Sequence, residues 1–439
     1  MSNHTRSALV AVAGLAAAAT TVVAPATAHA ATSPIDSPFY QYTGTTPLKD
    51  LAPGTVLKTR TVNYSIQGLS LPLKAVQVLY RTRNQVGQAV TGVTTIVHPL
   101  TGGGGSKVLS YQSFYDSLNP ADEPSAAIAG GSGIGPGAAD AETAIFAPAL
   151  LAGYTINIPD TEGQKADFAA GPEYGMVTLD SLRAITRTTA TGVTKNAKFG
   201  LVGYSGGAIA SEWAAEKAPK YSPGVAKHIV GTAIGGVFVD PAHNLHYVDG
   251  STVWAGVIPM ALIGIARSFH INLTPYLSTY GKSLMKKLQK APISAVLGQY
   301  LGLTWKKLAK PQYAVPETVA PYVKVANQLT MGRFGTPSAP MLIGQGTGGL
   351  IEGTKPSKQY GAGDGVMVAG DVRSLAREYC SRGVKVKYQQ YALSHFTSVP
   401  QWLPTAYTWL IDRFNGKAAP STCGKIAKGN SLAPIKLQK

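Results

Sequence analysis

KFGLVGYSGGAIASEWAAEKAP, residues 198–219, changes character at a single serine. Before Ser205 lies a short apolar run, 199–204, of the kind that fits a buried parallel strand. After it, 208–218 is alanine-rich, carries Glu212, Trp213 and Glu216, and reads as a helix that stops at Pro219. The junction Gly203-Tyr204-Ser205-Gly206-Gly207 matches G-x-S-x-G. In a strand–turn–helix setting that pattern holds the serine in a strained backbone conformation, and the flanking glycines let strand and helix approach without Cβ collisions. Ser205 is therefore a candidate nucleophile. The bland alternative is a plain strand–helix turn, since glycine and serine are common; the local setting favours the nucleophile.

Outward from this turn, strands alternate with helices. Residues 58–67, 74–82 and 89–98 alternate β-branched and polar residues, which predicts antiparallel strands opening a sheet. KVLSYQ (107–112), 154–159, 199–204, 229–239, PMLIGQ (340–345) and VKVKYQQY (384–391) read as further strands, with helical stretches at 138–153, 176–190, 370–381 and 402–414. Such alternation implies an α/β class with a mostly parallel sheet and helices on both faces. Between His243 and about 336 the chain turns to helical segments rich in Lys, Leu and aromatics, expected as an inserted cap or lid. The expected organisation is a leader at 1–30, a core in two parts at 31–240 and 337–439, and a helical cap at 241–336.

The 439 residues suffice for a large core. Residues 1–30 have the form of a secretory signal: Arg6, an apolar alanine-rich run, then Ala28-His29-Ala30 as a small-x-small cleavage site. No later run is long and apolar enough to read as a membrane span. The expectation is a secreted, extracellular protein. In that oxidising setting the two cysteines, Cys380 and Cys423, are expected to form one disulfide. The formal charge is +17, from 39 Lys and Arg against 22 Asp and Glu. The excess is spread along the chain and no nucleic-acid signature accompanies it, so basic solubility is preferred over a polyanion partner.

A serine hydroxyl needs a general base within hydrogen-bond reach and a carboxylate to orient that base. His395 follows the last strand in a Leu-Ser-His-Phe-Thr turn and is the candidate base. The acid should fall between PMLIGQ and His395, where Glu352, Asp364, Asp371 and Glu378 lie. Asp364, in the glycine-flanked GAGDGVMV turn, is preferred; Asp371 reads as a helix N-cap, and Asp240 is held in reserve. For the oxyanion hole, Gly206 N–H follows the nucleophile, and a second donor should come from the loop after KVLSYQ, which contains Tyr115 and Asp116. No metal-ligand cluster or dinucleotide fingerprint appears, so no cofactor is expected.

YRTRNQVGQAVTGVTTIVHP, SYQSFYDS, GYTINIPDTEG followed by LDSLRA, GYSGG, and CSRGVKVKYQQYALSH occur here in an order that resembles the secretory lipase family of exported fungal and actinobacterial α/β-hydrolases. The resemblance spans about 80–414. It implies a carboxylic ester hydrolase acting on acylglycerols or other acyl esters beneath a helical cap. Carried over, Ser205 is nucleophile, Asp364 acid, His395 base, and Asp116 with Gly206 the oxyanion positions. One departure stands out: the family's acid follows soon after the PMLIGQ-like strand, whereas Gly346-Thr347-Gly348-Gly349 has none, so an insertion over about 350–361 is needed to bring Asp364 into place. Acyl transfer to a cell-envelope alcohol, and a noncatalytic envelope-binding role on the same fold, are the alternatives.

Overall fold

The computed structural model describes residues 34–99 and 105–439, so the expected leader at 1–30 lies outside the described residues. The β-branched opening segments form an antiparallel meander of β1 (Val56–Ile66), β2 (Leu69–Arg83) and β3 (Ala89–Val97). β4 (Gly105–Gln112), β5 (Thr155–Pro159), β6 (Val193–Tyr204), β7 (Ile229–Gly235), β8 (Met341–Gly346) and β9 (Val386–Tyr391) follow. They join one nine-stranded sheet in the order β1-β2-β3-β5-β4-β6-β7-β8-β9, parallel from β5 through β9.

The central strands are continuous apolar runs because both their faces are covered. Leu201, Ile234 and Ile343 pack on one face against Leu179, Trp213 and Tyr379 of the helices Gly171–Ile185, Gly206–Tyr221 and Ala369–Ser381. Their neighbours Val202, Ala233 and Leu342 point the other way, onto Phe146 of Thr143–Leu151 and Trp402 and Trp409 of His395–Phe414. The two-residue period of a strand thus supplies two cores from one sheet.

Between β7 and β8 the described chain adds no strand to the sheet. It forms the helices Pro241–Val248, Val257–Ser268, Thr279–Lys287, Trp305–Leu308 and Ala320–Leu329, which bury an apolar cluster of their own around Leu245, Trp254, Ile258, Leu284 and Trp305. Within the stretch read as helical segments, residues 276–301 form an α-helix only at Thr279–Lys287; Pro292, a single 3-10 turn at Ile293–Ala295 and the left-handed Gly298 (φ 68°) follow it.

Several boundaries differ from the sequence reading: the helix expected at 176–190 runs Gly171–Ile185, and the stretch 138–153 divides into Ile134–Ala141 and Thr143–Leu151. The helix after Ser205 runs past Pro219 to Tyr221, because a proline in the last turn removes only one late N–H donor. β7 ends at Gly235, where the left-handed Gly236 (φ 59°) turns the chain off the sheet. The last helix begins at His395, seven residues before the expected 402. Ser394 caps it, accepting from Thr397 N while the Thr397 hydroxyl accepts from Ser394 N. Cys380 and Cys423 form the expected disulfide, with Cα atoms 5.6 Å apart.

Candidate active site

The site lies beyond the carboxyl ends of the parallel strands, where chain segments leave the sheet. Ser205 sits between β6 and the helix Gly206–Tyr221 at φ 53° and ψ −120°. A positive φ costs a non-glycine residue on the order of 1–3 kcal/mol, and the turn persists because its surroundings enforce it. Ser205 N donates to the β7 carbonyl of Gly235 at 2.9 Å, and Ala208 N and Ile209 N close on the Ser205 carbonyl. Glycine is favoured on either side. A Cβ at Gly203 would strike the Gly207 carbonyl, and one at Gly206 would strike the Asp116 carboxyl.

His395, 1% exposed, is the first residue of the last helix. Its Nδ1 lies 2.8 Å from Asp364 Oδ2, its backbone N donates to the Asp364 carbonyl at 2.7 Å, and Tyr204 OH donates to the His395 carbonyl at 2.7 Å. Tyr204 and Trp254 flank the ring, with centroids 5.0 and 5.1 Å away. Nε2 is buried and has no hydrogen-bond partner among the described residues. With an acceptor carboxylate on Nδ1, the proton resides there and Nε2 is left with its lone pair.

Asp364 is fully buried, and both of its oxygens are occupied. Oδ2 also accepts from Gln345 Nε2 at 2.9 Å, and Oδ1 accepts from Val366 N (3.1 Å) and Met367 N (2.8 Å). Together these contacts fix the plane of the carboxyl. The other acid candidates are engaged elsewhere. Asp240 caps Pro241–Val248 through Ala242 N and His243 N. Asp371 sits inside the first turn of its helix, not at the N-cap, and bonds His243 Nδ1 at 3.0 Å. Glu378 pairs with Arg382. Glu352 accepts from Trp254 Nε1 at 2.7 Å and Phe396 N at 2.9 Å, bracing the aromatic wall beside His395.

The loop after β4 brings Asp116 against Gly206, the residue after Ser205. Asp116 takes φ 37°, and its carboxyl lies against Gly206 Cα. Its carbonyl accepts from Ile293 N at 2.8 Å, and Leu118 N donates to Ala291 O, so the helical insertion is stitched directly to this loop. Burial, with the Glu142 charge adding to it, pushes the Asp116 carboxyl well above the usual carboxylate range. Glu142, raised to about 8 by burial, accepts from Tyr111 OH, Ser113 Oγ and Phe114 N. Glu162 is likewise raised by burial first and by Asp116 second. Burial thus weighs against charge on all three carboxyls of this corner. Sequence reasoning missed the roles of Glu142, Glu162 and Gln345; the one available signal was a polar residue ending an apolar strand, as Gln345 does in PMLIGQ.

The sheet order, the strained serine turn and the His–Asp pair on later loops define an α/β-hydrolase. The secretory lipase model matches residues 134–422, and the chain belongs to that family of lipase-type hydrolases. It is 29% identical over 395 residues to lipase 1 of Candida albicans, covering 85% of this chain and 80% of that protein. It is also 29% identical over 395 residues to a protein of Mycobacterium tuberculosis named "probable inactive lipase", covering 88% and 83%. Among solved structures, Candida antarctica lipase A in its closed state superposes with a TM-score of 0.76 at 25% identity, covering 92% of this chain and 91% of that one.

Proposed function

We propose that this chain is a secreted serine ester hydrolase cleaving acyl esters of lipids by an acyl-enzyme route. The observation that carries the reading is the buried His395–Asp364 pair, whose imidazole, with Nε2 unbonded, stands 5.0 Å centroid to centroid from the ring of Tyr204, the residue that leads into the strained Ser205 turn. His395 Nε2 takes the Ser205 proton as Oγ attacks the ester carbonyl. The imidazolium is balanced by Asp364 and then returns the proton to the leaving alcohol. Gly206 N–H, at the first turn of its helix, and a protonated Asp116 carboxyl receive the developing oxyanion. Water, activated by the same Nε2, releases the acid and restores Ser205.

An exposed apolar rim supports a lipid-surface substrate. Phe396, next to His395, is 49% exposed, and Leu350 and Ile351 are 65% and 61% exposed on the segment braced to it through Glu352. Apolar residues exposed around a cleft mark a surface made to meet another apolar surface. The disulfide supports passage through an oxidising compartment. The helical segment 241–336 serves as cap. A noncatalytic role gained its appeal from the missing acid at Gly348, and the bond between Asp364 and His395 weighs against it. Ser205→Ala, assayed with a p-nitrophenyl ester, is expected to lower kcat by at least about 10³-fold; unchanged turnover sinks the assignment.

A further inference from the structure

A second cavity, of about 760 Å³, opens where the helical segment 241–336 meets the helices on the sheet. Trp213, Phe269, Ile271 and Phe334 supply apolar wall, and the Trp213 and Phe334 rings stand 5.5 Å apart. Its charged lining residues are Lys217 and Lys324, with no Asp or Glu among them. Neither lysine forms a salt bridge among the described residues. Glu216 and Glu212 face Lys217 from its own helix, and their charges act on it to raise its pKa, but neither forms a salt bridge with it: Glu216 accepts from Gly332 N, Phe334 N and Gly335 N, and one oxygen of Glu212 accepts from Tyr379 OH. Lys217 Nζ instead lies 5.6 Å from the Trp213 ring centroid, its ammonium half-desolvated and lowered in pKa by burial.

An apolar groove with unpaired cations suits a molecule with one long tail and one anionic head. Ile271 and Val325 also line a neighbouring apolar cavity, which reaches Phe238 and Val366, two residues from Asp364. The Ile271 and Val325 side chains thus line both cavities. We infer that this groove binds a single-chain anionic amphiphile, a long-chain carboxylate, with its head at Lys217 and Lys324 and its tail along the Trp213–Phe334 wall. The choice of a fatty acid as occupant rests on the ester-hydrolase reading, because that reaction would release one next door.

The test is calorimetric titration of the full chain with sodium decanoate below its micelle concentration, with neutral decyl maltoside as comparator. The native chain and Ser205→Ala are expected to bind decanoate alike. Lys324→Gln and Lys217→Gln are each expected to weaken decanoate about fivefold to tenfold, the range for a charge-assisted contact near solvent, and to leave decyl maltoside unchanged. Lys217→Arg keeps the charge and is expected to bind as the native chain does. Unchanged decanoate affinity in both Gln variants, a parallel loss of the maltoside in Lys324→Gln, or equal losses in Lys217→Gln and Lys217→Arg overturns the site. Ester hydrolysis measured beside it separates the two ideas: an inert native chain that still binds decanoate through its lysines rejects the reaction and keeps the groove.

Discussion

Asp364 and His395 are joined twice, side chain to side chain at 2.8 Å and backbone N–H to carbonyl at 2.7 Å. They lie 31 residues apart, with the helix Ala369–Ser381 and β9 between them. The double attachment sets both the position of the helix that carries the imidazole and the rotation of the ring upon it. Ring orientation, more than proximity alone, decides whether Nε2 faces a serine.

Replacing the acid tests that arrangement. Asp364→Asn presents an amide to Nδ1, which favours the tautomer with its proton on Nε2 and removes the base; kcat on a soluble ester is expected to fall about 10⁴-fold. Asp240→Asn is expected to leave kcat within about twofold, since Asn caps a helix as well as Asp does. A larger loss from Asp240→Asn than from Asp364→Asn would reverse the assignment.

Asp116 predicts an alkaline limb. Its carboxyl is raised well above the usual range by burial and by Glu142, and it donates only while protonated. Activity is therefore expected to be present below that raised pKa and to fall as pH rises through it, when an ionised carboxyl faces the oxyanion. Asp116→Asn keeps a donor and cannot ionise. Its kcat profile is expected to stay flat where the native one declines, and an identical decline in both removes Asp116 from the oxyanion hole.

Stability should also depend on pH. Glu142 and Glu173 are both raised to about 8, chiefly by burial, while in the unfolded chain they titrate near the ordinary value of about 4.3. Between these values the folded chain holds protons that the unfolded chain has lost, so unfolding releases protons and stability falls as pH rises. The slope approaches about 1.4 kcal/mol per pH unit for each such group. Thermal melts from pH 5 to 8 are expected to move downward, and Glu142→Gln is expected to flatten the trend. A midpoint that climbs across this window contradicts the account.

The disulfide closes 43 residues of separation and ties the tail to the helix Ala369–Ser381, against which Ile426 O and Asn430 O accept from Arg377 and Ser374. A loop of that length corresponds to about 4 kcal/mol of chain-entropy stabilisation. Cys380→Ser with Cys423→Ser is expected to lower Tm and raise amide exchange in 423–435, while kcat at 25 °C stays near native. Loss of kcat with unchanged Tm would place the tail in the site's own architecture.

Much of this was readable along the chain. The apolar runs of β6, β7 and β8 and the breakpoint at Ser205 are local signals, because burial on both faces and a glycine-bounded turn each leave a composition mark. The start of the last helix was not, since Pro400 and Pro404 masked a helix that Ser394 begins. The helical segment differs in detail for another reason: the apolar residues between 276 and 301, among them Leu277, Leu288 and Val296, are buried in the cluster that also holds Trp254 and Ile258, and burial does not require helix.

Residues 198–219 carried the strained serine turn in local terms, since strand, strain and helix follow from side-chain size and glycine placement within a few residues of Ser205. The order of strands and helices likewise follows from periodicity. Which acid serves His395, and where Asp116 points, did not, because several carboxylates satisfy the chain order and composition treats them alike. Folding separates them by assigning each to different donors. Asp240 and Asp371 are consumed by a helix cap and a histidine outside the site, Glu352 braces the aromatic wall, and Asp364 alone of the acid candidates bonds His395. Hydrogen bonds between distant segments depend on three-dimensional register, and that register is a property of the packed sheet.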